Sequence, residues 1–430
     1  MRLGSWDGCK LNRAKVSTIV LLVCPVALCC GQGTAPAPAP TSASSSPASM
    51  ALNLQMALDL AEKQNLDLAA ARLERSIAIA GIRTAGEISN PTISYSETRD
   101  EPHESLFFDQ QIQIGGQRGR RIAEAREESS LADVAVATAE RQVRREVRET
   151  FYGAALALGR TAEGEEALTL AKRIRDIAQQ RFQSGDVPQL EVIQAQLEES
   201  RAEADLTVTK EEEKVAWSAL NALLNEPAET DWQLQGTLED TPSDAQLADL
   251  LNRAAQQSPE LQHLAQELKV EQSHESLLRA ERVPDIGLEL GVDLNAPHDY
   301  RVGPRGQITV GLPLFARSQG EIAQSEATQR QLNASLDATR RSTAGRVEQA
   351  YYELHARRIQ VDLYRNTLLP SGRKLEDLAE QSYQAGKSDI LYVLAAQHDV
   401  QQLQSDYLDS LYALQAAYAE LEEIVGASLD

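Results

Sequence analysis

Residues 285 to 294 read "DIGLELGVDL". Ile286, Leu288, Leu290, Val292 and Leu294 fall on one parity; Asp285, Gly287, Glu289, Gly291 and Asp293 fall on the other. A period of two, sustained over this stretch, predicts a strand with one apolar and one polar face. The rest of the chain is rich in Gln, Glu, Ala and Leu, the composition of long helices and coiled coils. The fold therefore turns on what a few one-sided strands do in a mainly helical protein.

The strand has a counterpart 193 residues earlier, where "NPTISYSE" (90–97) meets "VPDIGLEL" (283–290) with Pro91 on Pro284. At the same offset "ALDLAEKQNLDL" (57–68) meets "LLNRAAQQSPEL" (250–261). At an offset of 201, "RFQSGDVPQLEVIQAQ" (181–196) meets "SYQAGKSDILYVLAAQ" (382–397), with Gly185 on Gly386 and Gln196 on Gln397. The chain is thus written twice, over 51–236 and 237–430, and the extra residues of the second copy are expected in the loop 295–306. Each copy predicts a helix (53–86 and 244–281), a β-hairpin (91–115 and 284–315), a long helical run (118–183 and 317–383), a Gly turn and a returning helix (189–226 and 389–426). The second strands are expected at "SLFFDQQIQIG" (105–115) and "QITVGLPLF" (307–315). Each long run, at 1.5 Å per residue, spans roughly 100 Å. Pro370 predicts a kink near the middle of the second run. The narrow apolar stripes predict helices packed side by side as coiled coils.

Residues 1–30 are a separate segment. Lys10, Arg13 and Lys15 precede the apolar run "VSTIVLLVCPVALCC" (16–30), the pattern of a secretory signal peptide. All four cysteines, Cys9, Cys24, Cys29 and Cys30, lie here, so no disulfide or thiolate metal site can form after Gly31. Cys29 and Cys30 are candidate lipidation sites. Residues 31–50, with "TAPAPAPTSASSSPAS", are a Pro/Ala/Ser-rich linker. The formal net charge of -22 argues against nucleic-acid binding, which needs clustered Lys and Arg.

The strand lengths fit a transmembrane β-barrel. In lipid every backbone group must be paired, so such a barrel has to close. Outer-membrane barrels start at about eight strands, more than one chain offers, so several copies would have to share one barrel. The apolar parity would face lipid. Asp109, Gln111, Gln113, Asp285, Glu289 and Asp293 would then face a water-filled pore. A soluble four-stranded sheet packed on helices is the alternative.

The chain resembles the TolC-like outer membrane factors. The resemblance rests on "NPTISYSE", "VPDIGLEL", "LPLFARSQG" (312–320) and the two Phe/Tyr-x-x-Gly turns leading to Ala195-Gln196 and Ala396-Gln397, and it covers about 50–428. It implies a mainly α fold with a small β part: a long α-helical barrel plus four transmembrane strands per chain in a shared, internally duplicated trimeric barrel. It further implies an outer-membrane homotrimer acting as exit duct for a periplasmic adaptor and an inner-membrane pump. The "LPLF" wording looks most like the heavy-metal cation efflux branch. By resemblance the turns at 183–191 and 384–392 are periplasmic tips that dock the adaptor and close the channel, with Gly185, Asp186, Glu191, Gly386, Lys387, Ser388 and Asp389 as candidate residues. Gly185 and Gly386 suit a positive-φ turn ending a helix. Asp186 or Pro188, and Ser388 or Asp389, suit the start of the next. Glu191 is placed to ring an aperture, its counterpart Tyr392 is not, and a Lys387–Asp389 ion pair would make a weak latch.

No catalytic motif appears. The six histidines are scattered, with no HExxH pair, and "GGQRG" (115–119) lacks the Gly-Lys-Ser/Thr ending of a P-loop. No cofactor, metal or enzymatic activity is expected. The competing functions are a duct for type I protein secretion and, from another class, a periplasmic adaptor or coiled-coil scaffold.

Overall fold

The computed structural model describes residues 50–99, 102–230, 232–240, 245–294 and 302–429. The signal segment, most of the linker, Cys29, Cys30 and loop residues 295–301 lie outside the described residues.

In the first copy β1 (Met50–Asn53) leads to α1 (Leu54–Gln64) and α2 (Leu66–Ala85). The hairpin β2 (Thr92–Glu97) and β3 (Glu104–Ile112) follows, then α3 (Gln117–Gln183) and the returning α4 (Gln189–Leu223). The second copy repeats the order: β4 (Trp232–Gln235), α5 (Leu247–Gln257), α6 (Pro259–Ala280), β5 (Ile286–Leu294) and β6 (Val302–Val310). Its long run is α7 (Gln319–Leu363), a π-helical turn (Tyr364–Leu368) and α8 (Leu369–Gln384), and α9 (Ile390–Val425) returns.

Several boundaries differ from the sequence reading. The helices expected at 53–86 and 244–281 are each broken, at Asn65 and Ser258, 193 residues apart. Asn65 is extended, and its side chain caps α2 by accepting from the Leu68 N–H at 3.0 Å. Ser258 precedes Pro259, whose ring disfavours helical backbone in the residue before it. The short β1 and β4 pair in parallel, Met50 to Trp232 through Asn53 to Gln235, and tie the two copies together. β4 precedes α5 as β1 precedes α1. Four-residue strands are too short to show a period.

The largest difference is β6, which runs over 302–310 instead of 307–315. Its span is set by β5, against which Val310 pairs with Ile286 and Val302 with Leu294. Leu312 and Leu314 continue the alternation into a turn containing Pro313. The strand instead recruits Pro304, which is tolerated because β6 is an edge.

The four-stranded sheet has the order β2-β3-β5-β6, all antiparallel. The same order carries into the helices: α2 packs on α3, α3 on α6, and α6 on α7. α3, at 67 residues, is roughly 100 Å long. The second run breaks at the π turn, after 45 residues of α7 and before 16 of α8, so beyond its middle and short of its end. Pro370 explains the break, since it has no N–H to give the preceding turn; the Leu369 N–H reaches back to the Tyr364 carbonyl.

One core lies where α3, α7 and α9 meet α1, α5, β1 and β4. It is built on Leu52, Phe151, Trp232, Tyr418 and Val425. Each fully buried large side chain there contributes roughly 1.5–3 kcal/mol. A smaller core of Ile174, Ala178, Val192, Ala195, Tyr383, Ile390 and Val393 holds the two hairpin tips together.

Candidate functional site: the open sheet and the hairpin tips

The register sorts the sheet into two faces. Ile93 is opposite Phe108, which is opposite Leu290; Tyr95, Leu106, Val292 and Pro304 form the next row. These side chains have no cover within the chain: Ile93 and Ile308 are each 70% exposed. Among the described residues no helix is long and apolar enough to cross a membrane. The exposed apolar face of the sheet is a surface that suits lipid.

The other parity is polar. Its rows are Ser96–Ser105–Asp293–Gly303, Ser94–Phe107–Gly291–Arg305 and Thr92–Asp109–Glu289–Gln307. Asp109, Gln111, Glu289 and Asp293 lie on this face. Asp293 accepts from Ser105 at 2.9 Å and pairs with Arg305 at 2.9 Å. Two expected members differ. Asp285 precedes β5 and accepts from the Gln111 and Gln117 amides at 3.2 and 3.0 Å. Gln113 follows β3 and accepts from Arg121 at 3.0 Å. Both brace the junction between sheet and α3, because β3 ends at Ile112 ahead of the Gly115-Gly116 turn. Sequence reading missed Phe107 and Arg305, although Phe107 breaks the polar parity and Arg305 is a strand cation.

At the tips, Gly185 and Gly386 adopt φ of +81° and +70°. The turns close identically. The Gly185 N–H donates to the Phe182 carbonyl and the Asp186 N–H to Arg181; the Gly386 N–H donates to Tyr383 and the Lys387 N–H to Ser382. This is the Schellman pattern that satisfies the last carbonyls of a helix. Pro188 then caps α4, and Asp389 caps α9 by accepting from the Leu391 N–H at 3.4 Å. Asp186 and Ser388 are not the caps; the Ser388 hydroxyl is buried without a hydrogen-bond partner. The Asp389 carboxylate thus serves the cap rather than a latch with Lys387.

The contact that joins the tips lies elsewhere. Tyr383, fully buried, donates its hydroxyl to Glu191 at 3.0 Å. Arg181 stacks its guanidinium 4.6 Å from the Tyr383 ring centroid and donates to the Tyr383 carbonyl at 3.0 Å. Burial, then the bond to Glu191, pushes the Tyr383 hydroxyl up to about 12, so it stays a donor at physiological pH. Glu191 therefore serves as a clasp between hairpins within one chain, where an open position on a carboxylate ring was expected. Further along α3, burial and then the Glu166 carboxylate push Glu163 up to about 7, while Arg160 opposes them.

The family model described as outer membrane efflux protein matches residues 57–226 and 250–427, one stretch in each copy. The cobalt-zinc-cadmium resistance protein CzcC of Cupriavidus metallidurans is 26% identical over 376 residues, covering 87% of this chain and 90% of that protein. The solved structure of CusC is similar with a TM-score of 0.73 at 17% identity, over 88% of this chain and 94% of that one. The outer membrane protein VceC of Vibrio cholerae superposes with a TM-score of 0.71 at 15% identity, over 88% of this chain and 97% of that one.

Proposed function

This chain belongs to the outer membrane efflux protein family, and on that premise we propose that three copies form a passive exit duct for metal cations, served by an inner-membrane pump and a periplasmic adaptor. The observation that carries the reading is the open sheet. β2 and β6 each have a partner on one side only, and the apolar face is bare. In the outer membrane those edges must be paired, and neighbouring copies of the same four strands supply the partners. Three copies close a twelve-stranded barrel.

The helices support the same assembly. Leu66 and Leu73 on α2, Val208 and Val215 on α4, and Tyr352 and Ile359 on α7 are exposed apolar pairs, each seven residues apart. Heptad spacing is the mark of a coiled-coil seam, and among the described residues these side chains are left exposed. The periplasmic helices then line a tube about 100 Å long. The tips at Gly185 and Gly386 close it and dock the adaptor. The clasp of Arg181, Glu191 and Tyr383 holds the two hairpins of each chain in register.

Metal as cargo is supported by the near full-length likeness to a cobalt-zinc-cadmium resistance protein. Choice of metal rests with the pump, and the duct performs no catalysis. A cleaved signal carries the chain out of the cytoplasm, with Cys29 or Cys30 available for lipidation. Deleting the gene should sensitise the source cell to cobalt, zinc or cadmium, and the intact gene should restore tolerance. Unchanged metal tolerance with increased drug sensitivity would move the cargo to small organic toxins.

A further inference from the structure

The polar face of the sheet holds two residues that do not belong to its pattern. Among the described residues of the four strands, Phe107 is the large apolar side chain on that parity and Arg305 the cation. They share one register row, Ser94–Phe107–Gly291–Arg305. Gly291 is the reason both fit. A Cβ there would run into the Phe107 ring, so only glycine lets the ring lie across β5. The Arg305 guanidinium then reaches over the same glycine to within 5.6 Å of the ring centroid. Its charge is held by Asp293 at 2.9 Å, and Asp293 is steadied by the Ser105 hydroxyl at 2.9 Å. The arrangement lies toward the hairpin-loop ends of the strands. The next row inward, Asp109 opposite Glu289, carries two carboxylates with no cation of its own in the row.

We propose that Phe107 and Arg305 of each chain form a collar around the barrel lumen that sets how fast solutes pass and how strongly cations are favoured over anions. This rests on the shared-barrel reading above, which turns the polar parity toward water. The ring narrows the lumen. The fixed guanidinium neutralises Asp293, so the acidic field begins below the collar, at Asp109 and Glu289. The collar thus passes solutes of either sign at the outer mouth, and the wall beneath it favours cations.

The chain after Gly31 contains no cysteine, so a single Gln307→Cys probe reports on the acidic row just inside the collar. The measurement is the labelling rate of that thiol in intact cells by a cationic and an anionic methanethiosulfonate reagent added outside. This readout does not depend on the state of the periplasmic tips. On the probe background, Phe107→Ala should raise both rates several-fold, with Phe107→Leu as a variant closer in volume. Arg305→Gln should raise the ratio of cationic to anionic rate by freeing Asp293, and Asp293→Asn should lower it. Each variant is first checked for assembly in the membrane. Rates and ratios unchanged in assembled variants overturn the collar. A probe that no reagent labels, in an assembled protein, overturns the barrel orientation beneath it.

Discussion

At the tip of the first copy, Gly185 and Asp186 close the turn onto Phe182 and Arg181; at the tip of the second, Gly386 and Lys387 close it onto Tyr383 and Ser382. The backbones match bond for bond, and the side chains do not. The first copy supplies Arg181 and Glu191, and the second supplies the buried Tyr383 that both engage. The long runs diverge in the same way. α3 continues unbroken where the second copy has a π turn ahead of Pro370. Glu163 lies 201 residues before Tyr364, the first residue of that turn. Duplication thus fixed a shared backbone plan, and each copy then became one half of a contact the other completes. Two identical repeats would lack the clasp.

That comparison can be broken most strongly where the copies agree. Val at Gly185 or Gly386 would force a β-branched residue into the left-handed region, at about 1–2 kcal/mol for each position. The double variant should lose export in a metal-tolerance assay while the barrel still assembles by mass. Export that survives would show the tip backbone to be dispensable.

Where the copies complement each other the expected effect is smaller. Tyr383→Phe deletes the hydroxyl given to Glu191, at about 1.5–3 kcal/mol for a bond to a charged group. Glu191→Gln weakens the same bond from the other side. In a double-mutant cycle on thermal stability the two losses should be clearly less than additive. Single-channel conductance should rise as the hairpins loosen. Strict additivity would mean that the contact is incidental.

The smallest effect concerns Glu163. Its pKa is raised above the ordinary 4.5, so the folded state binds a proton that the unfolded chain releases. Stability from this group is therefore greatest below pH 4.5 and declines as pH rises toward about 7. Glu163→Gln should flatten that decline. It should add about 1 kcal/mol at pH 8, after allowance for solvent screening, and little at pH 4.5. Urea midpoints across that range test it, and an equal pH slope in both proteins would remove Glu163 as the cause.

Legibility in the sequence followed the range of the interaction. β5 was readable because its alternation is local and unbroken. β6 was misplaced because Leu312 and Leu314 alternate as well as any strand residue, and only pairing with β5 excludes them. Gly185 and Gly386 were readable, since a positive φ selects glycine. Glu191 was singled out without its partner, because Tyr383 lies 192 residues away and no local pattern links them. The Tyr of the second Phe/Tyr-x-x-Gly turn was the available signal. Phe107 and Arg305 escaped notice because a strand read alone does not show that Gly291 makes room for both.

The central claim is that four strands per chain are one third of a pore wall. Light scattering on the mature chain, purified from membranes and corrected for detergent, measures this directly. The account predicts a detergent-requiring particle with the protein mass of three copies. A water-soluble monomer would mean that the apolar faces of β2, β3, β5 and β6 are covered within one chain, and the shared barrel would be contradicted.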